Sequence, residues 1–327
     1  MKYALLGSTG VHVSSIGLGT ATLGVAPRIE DADRVIGRAL DLGINLVDTA
    51  NSYGNQPRFD RAGAPPSAER QSAEEILGRV LGARRHEIVL TSKVMEPVGD
   101  GPNDRGLSRR HIFSQVEASL RRLRTDYLDV YYAHHPDPHT PIEQTLWAFG
   151  DLIRQGKIRY YALSTFGAWQ ATEAALKAER LGVPPPVCNQ IAYSLANRAA
   201  EEDIVPACLH LGMTLTAFAP LGGGLLAGAH ALERPIVGAQ RFGLGGFSDA
   251  KLELARRFNQ LADAWHYESV GLALSWLTSR PAVSSAIVGA ETIDELETAA
   301  SACDLTLPAE LLGQLDELGR PAPRTWY

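Results

Sequence analysis

Gly43-Ile44-Asn45-Leu46-Val47-Asp48-Thr49-Ala50-Asn51-Ser52-Tyr53-Gly54 is the stretch on which the fold turns. The run Ile44 to Val47 has the length and branching of a buried strand, and it ends against the polar residues Asp48 and Tyr53. Two later stretches share that form. Ile88-Val89-Leu90-Thr91 runs into Lys93, and Leu128-Asp129-Val130-Tyr131-Tyr132 runs into His134. In a barrel of parallel strands the C-terminal ends open on one face, so Asp48, Tyr53, Lys93 and His134 are expected to share one pocket.

Working outward, apolar strand-like runs recur near residues 16–20, 44–47, 88–92, 128–133, 158–163, 187–190, 214–218 and 285–288. Helix-period segments lie between them. Asp31 to Leu42 carries Val35, Ile36, Ala39 and Leu40 on one face, with Gly43 as its stop. Ser108 caps a second helix, reaching Leu123, in which Ile112, Val116 and Leu120 share a side. Further helices are expected at about 72–81, 142–155, 168–180, 200–211, 268–279 and 292–302. Eight alternations of strand and helix predict an α/β fold, a (β/α)8 TIM barrel forming a single domain over 1–327. Tyr3 to Leu6 and Val11 to Val13, joined by Gly7-Ser8-Thr9-Gly10, predict an N-terminal β-hairpin plug. Pro308 to Leu318 predicts an extra C-terminal helix. Three stretches interrupt the alternation: Tyr53 to Gln71, Gly222 to Ser248 and Gly319 to Tyr327. The first two follow strands on the chemical face, where long loops are usually functional or disordered.

Composition sets the class of partner. With 45% hydrophobic and 21% charged residues the chain can bury a large core. A net charge of −6 without a basic block argues against nucleic acid and against a polybasic membrane patch. No segment approaches the roughly 20 apolar residues of a spanning helix. Cys188, Cys208 and Cys303 are far apart and form no CxxC pair, so buried thiols in a reducing, cytoplasmic setting are expected. His134, His135 and His139 offer imidazoles, but no companion ligand cluster accompanies them, and no metal is expected.

The four strand-end residues suit carbonyl chemistry. Hydride addition leaves negative charge on oxygen, so a proton must be supplied there. A tyrosine of pKa near 10 is a poor acid unless a cation eases loss of its proton. Lys93 is placed to be that cation, Asp48 to orient it, and His134 to hydrogen-bond the carbonyl oxygen.

The opening stretch resembles the signature of the aldo-keto reductase family. Asp129-Val130-Tyr131-Tyr132-Ala133-His134-His135-Pro136-Asp137 is similar to that family's catalytic-histidine segment, and Lys93 in Leu90-Thr91-Ser92-Lys93 matches its lysine. Gly106-Leu107-Ser108-Arg109-Arg110-His111-Ile112 resembles the branch that contains potassium-channel β subunits and bacterial sugar reductases. The resemblance implies an oxidoreductase that interconverts a small carbonyl compound and its alcohol, with an extended nicotinamide nucleotide across the barrel mouth. No Gly-x-Gly-x-x-Gly fingerprint of another dinucleotide fold is present.

The resemblance also assigns cofactor contacts. Ser164 and Gln190 match residues that hold the carboxamide, Thr165 stands where Asn is usual, and Phe218 takes the place of the ring that stacks on nicotinamide. Pro220, Leu221, Gly222 and Gly224 resemble the pyrophosphate loop, with Arg241 as a second phosphate contact. Gly289, Glu291 and Glu295 align with the adenosine-binding segment. The family default is NADP(H). Carboxylates at Glu291 and Glu295 would repel a 2′-phosphate, so NAD(H) carries real weight. Met95, His135, Trp169 and Trp326 are expected substrate walls. The stretch between Gly54 and Ser72, with Arg58, Phe59 and Arg61, is expected to cover a polyhydroxylated or bulky substrate or to be a plain surface loop. A nucleotide-binding regulatory subunit is the alternative function, and a metal-dependent barrel hydrolase the third.

Overall fold

The computed structural model describes residues 1–60, 63–233 and 246–320. An antiparallel hairpin, β1 (Tyr3–Leu5) and β2 (His12–Ser14), precedes eight parallel strands. These are β3 (Ile16–Gly19), β4 (Leu46–Asp48), β5 (Val89–Val94), β6 (Leu128–Ala133), β7 (Ile158–Ser164), β8 (Cys188–Ala192), β9 (Thr214–Phe218) and β10 (Val283–Val288). They close into a barrel in chain order, β10 pairing with both β9 and β3. The expected (β/α)8 barrel is therefore present.

The helices between strands include α1 (Ile29–Asp41), α2 (Ala73–Val80), α3 (Arg109–Leu123), α4 (Ile142–Arg154) and α5 (Ala168–Arg180). Local chemistry starts several of them. Ser108 accepts the His111 N–H at 3.3 Å at the start of α3, and Ser72 and Glu75 form a reciprocal capping box on α2.

Period-two alternation sorts the strands. Leu46, Val89, Val130, Tyr132, Ala162 and Cys188 form an inner cluster. Their chain neighbours Val47, Leu90, Tyr131, Ala133 and Leu163 belong to the shell between barrel and helices. Two or four residues on, with the inner parity, stand Asp48, Lys93, His134, Ser164 and Gln190. The pleat thus delivers these polar side chains to the barrel interior at its C-terminal end.

The opposite end is plugged as expected. Leu6 and Val13 of the hairpin join the inner cluster, and Gly7 N–H donates to Thr214 Oγ1 at 2.9 Å. A Cβ on Gly7 would lie 2.2 Å from the Val187 carbonyl oxygen, at φ +55°. Only glycine closes that end.

Some boundaries differ from the sequence reading. The strand expected from Ile44 begins at Leu46, because Asn45 instead joins the hairpin, accepting the Ser14 N–H and donating to the His12 carbonyl. The helix expected over 200–211 starts later, as α6 (Ile204–His210), after a 3-10 turn at Ala199–Glu201. Pro206 fits only within a first turn, which fixes that start. Within the irregular Gly222–Ser248 stretch a short α7 (Ala229–Glu233) forms. The 16-residue α8 (Asp249–Ala264) has no counterpart in the sequence reading. It is capped by Ser248, and Ala255, Phe258 and Ala262 are buried at helical spacing. Then follow α9 (Ser269–Thr278), α10 (Ile293–Ser301) and the expected extra helix α11 (Ala309–Leu318), which buries Leu311 and Leu315. All three cysteines are buried and free. No described helix is long and apolar enough to cross a membrane.

Candidate active site

Asp48, Lys93, Tyr53 and His134 meet at the C-terminal mouth of the barrel. Lys93 is fully buried and donates to Asp48 Oδ2 at 2.5 Å and to the Thr49 carbonyl at 2.9 Å. Asp48 Oδ1 accepts from Thr91 Oγ1 at 2.8 Å and from Gln190 Nε2 at 2.9 Å. The carboxylate is thus fixed by three donors from two strands, β5 and β8, and it fixes the ammonium in turn. An ammonium has three N–H groups, and the remaining one is on the side of Tyr53, whose ring centre lies 4.8 Å from Nζ.

Tyr53 sits on the turn after β4. Its carbonyl accepts the Ala73 N–H, and Gly54 N–H donates to the Ala21 carbonyl. A Cβ on Gly54 would stand 2.8 Å from backbone atoms on two sides, at φ +85°. The glycine after the tyrosine is therefore a steric requirement of the turn that presents it. The Tyr53 hydroxyl lies 3.4 Å from His134 Nε2, and Phe59 packs edge-on to the Tyr53 ring at 6.3 Å.

Electrostatics define the resting state. Burial raises the Tyr53 pKa above the usual phenol value, and the Lys93 charge only partly opposes it. The expected easing by lysine is real but outweighed, so the phenol rests protonated. For Lys93, burial disfavours the ammonium, but Asp48 and Tyr53 outweigh burial and its pKa is raised. His134 is held well below the ordinary histidine value by burial first, then by Lys93, His135 and Arg58. It is a neutral imidazole with one N–H. Its Nδ1 is buried without a partner among the described residues, so a proton on Nε2, beside the Tyr53 hydroxyl, leaves only a lone pair orphaned.

A second polar chain runs alongside. Thr165 Oγ1 is 2.7 Å from His135 Nδ1, His135 Nε2 is 2.8 Å from Glu96 Oε1, and Arg58 Nη1 donates to Glu96 Oε2 at 3.2 Å. The His134 and His135 rings stack at 4.7 Å with 5° between planes. Glu96, His134 and His135 have ligand atoms within 4.8 Å of one another. His139 is not part of this group.

A cleft of about 1450 Å³ extends from Tyr53 and His134 to Glu291 and Glu295. That exceeds the ~300–1,000 Å³ of an ordinary small-ligand pocket and suits a dinucleotide lying beside a substrate. Ser164, Thr165, Gln190, Phe218, Pro220, Leu221, Gly224, Gly289, Glu291 and Glu295 all border it. Gly223 and Gly224 have φ of +73° and +98°, and a Cβ on either would meet nothing within 4 Å. That open backbone fits the close approach of a pyrophosphate. Gly222 does not border the cleft; a Cβ there would meet Leu225 and Ala196 at 3.4 and 3.6 Å. Thr165, at φ +58°, directs its hydroxyl to His135. The Glu295 carboxylate accepts the Glu291 N–H at 2.9 Å, closing the loop before α10.

Among the expected substrate walls, His135 borders the cleft, Met95 does not, and Trp169 is 70% exposed. Arg61, Arg241 and Trp326 lie outside the described residues. Gly19 and Thr20 at the end of β3, Gly223, and Arg28 and Ser269 also border the cleft. The strand-end rule that found Asp48 applies equally to Gly19 and Thr20. Glu96 carried no signal in the sequence; only folding brings it to His135.

A sequence profile described as the aldo/keto reductase family matches residues 15–320. The chain belongs to the aldo/keto reductase family. The uncharacterized oxidoreductase YrpG of Bacillus subtilis (strain 168) is 35% identical over 334 residues, spanning 97% of this chain and 96% of that protein. A probable voltage-gated potassium channel subunit beta of Arabidopsis thaliana is 33% identical over 339 residues, spanning 99% of this chain and 98% of its own. Its counterpart in Oryza sativa subsp. japonica is 32% identical over 339 residues, with the same coverage. Membership makes this aldo/keto reductase an oxidoreductase of carbonyl groups that draws on a nicotinamide nucleotide.

Proposed function

We propose that this aldo/keto reductase interconverts an aldehyde, ketone or sugar carbonyl and its alcohol, with Tyr53 as general acid in reduction and general base in oxidation. The observation that carries the reading is the Asp48–Lys93 pair buried behind a protonated Tyr53, with neutral His134 at its hydroxyl. The bound nucleotide supplies or accepts the hydride. Tyr53 delivers its proton to the carbonyl oxygen, and the phenolate that forms lies against the Lys93 ammonium. Asp48 keeps that ammonium charged and oriented. His134 donates from Nε2 to the same oxygen, which lowers the cost of charge building there.

Ser164 and Gln190 are the proposed carboxamide partners, Phe218 the stacking face, and the Pro220–Gly224 turn the phosphate cradle. The Gln190 amide nitrogen is engaged with Asp48, which leaves its carbonyl oxygen to accept. Glu291 and Glu295 at the far end of the cleft support acceptance of NAD(H) beside NADP(H). The test is Tyr53→Phe, which removes one oxygen atom. Turnover should fall by roughly 10²–10⁴ while nucleotide affinity stays near that of the wild type. Near-normal turnover would remove Tyr53 from the mechanism. A regulatory nucleotide-binding role is the second reading, favoured by the names of the two plant relatives. Multiple turnover of a carbonyl by the isolated chain separates the two.

A further inference from the structure

The described residues between Gly54 and Ser72 form a built wall. Arg70, whose side chain is 2% exposed, donates to the carbonyls of Gly54, Gln56 and Pro65 and to the Asp60 carboxylate. One buried guanidinium thus gathers both ends of the loop. The loop carries Arg58 to the cleft beside Tyr53 and His135. There the guanidinium lies 5.1 Å from the centre of the Phe59 ring, and that ring is itself buried.

Arg58 spends two of its five N–H groups, one on Glu96 and one on Ser52. The rest have no partner among the described residues, and the side chain is 42% exposed. Glu96 sits behind, outside the cleft lining, and balances the Arg58 charge. Hydrogen bonding from His135 and the charge of Arg58 overcome burial and keep its carboxyl below the usual range. His135 is committed at both nitrogens, which ties Glu96 to Thr165 after β7.

Charges at this end of the cleft cancel in pairs: Lys93 with Asp48, Arg58 with Glu96. An anionic substituent drawn to Arg58 would also meet the field of Glu96. A hydroxyl oxygen can accept from the guanidinium without that penalty. We propose that Arg58, held by Glu96 and His135, is the specificity-determining residue of this site and selects neutral carbonyl compounds bearing hydroxyls near the reacting carbon. The inference rests on the carbonyl–alcohol reading above. Arg58 is the donor to substrate; Glu96 and His135 are positioning residues.

The experiment compares kcat/KM for glyceraldehyde, propanal and succinic semialdehyde at saturating nucleotide. The wild type should favour glyceraldehyde over propanal by about tenfold or more, the value of a hydrogen bond to a charged group. Arg58→Met should bring that ratio close to one. Arg58→Lys, which keeps the charge but loses the planar fork, should lose most of the preference and serves if the first variant folds poorly. Glu96→Gln unbalances Arg58 and should raise succinic semialdehyde relative to glyceraldehyde. An unchanged ratio in both Arg58 variants, or a wild type that prefers succinic semialdehyde, overturns the inference. Turnover of all three substrates with no hydroxyl preference refutes this inference alone. No turnover of any carbonyl with either nucleotide refutes the reductase reading beneath it.

Discussion

Replacing Lys93 by methionine separates what the buried ion pair does for the fold from what it does for the reaction. Methionine fills the volume but leaves the Asp48 carboxylate, 3% exposed, without its counter-charge. Breaking a buried pair from one side costs about 3–5 kcal/mol. Asp48 keeps its bonds from Thr91 and Gln190, and hydrogen bonds to a charge are strong, so the lower end, about 3 kcal/mol, is expected. Adding Asp48→Asn removes the stranded charge while its amide oxygen still accepts both bonds. The double variant should recover to within about 1.5 kcal/mol of wild type. Turnover should not recover. A phenolate opposite an ammonium at the 4.8 Å measured to the ring centre gains about 3.5 kcal/mol at an effective dielectric of ~20. Losing that is a factor of about 10² or more in rate. Urea unfolding reads the first quantity and steady-state kinetics the second. A double variant that regains both stability and turnover would show that Lys93 acts only as a structural partner. A single variant with wild-type stability would show that the charge is not buried as described.

Two further outcomes follow from the site. The His134 imidazole should remain neutral on going down in pH through 6.5, and NMR titration should show no inflection there. Because its folded pKa lies below the unfolded value, its neutrality contributes stability that is present above about 6.5 and lost as pH falls through the folded pKa; titration of His134 near 6.5 would contradict the burial argument. Glu291→Arg and Glu295→Arg should each shift binding toward NADPH over NADH, by roughly 1–3 kcal/mol, because guanidinium pairs bidentately with phosphate. Calorimetric titration of both nucleotides checks this. A wild type that binds NADPH far more tightly, with neither variant moving the ratio, would leave Arg241 as the better phosphate partner.

Much of this molecule is local and therefore legible in the chain. A strand buried on both sides shows as a continuous apolar run. Its last inward residue is set by period-two counting, so Asp48, Lys93 and His134 could be named before any coordinates. Ser108 and Ser72 announce their helices by capping chemistry, and Gly7-Ser8-Thr9-Gly10 announces the hairpin. The α8 helix was also encoded, in Ser248 and the spacing of Ala255, Phe258 and Ala262, but it falls outside the strand–helix alternation that organised the reading. Other properties exist only once distant segments meet. The upward shift of the Tyr53 pKa comes from burial outweighing Lys93, a balance of desolvation and distance that no motif records. The Arg58–Glu96–His135–Thr165 chain joins four segments through hydrogen bonds fixed by the closed barrel. Arg70 makes the loop after Tyr53 a wall only because its guanidinium is buried where four acceptors converge. Periodicity and capping are properties of neighbours in sequence; charge balance and desolvation are properties of neighbours in space, and they were decided when the barrel closed.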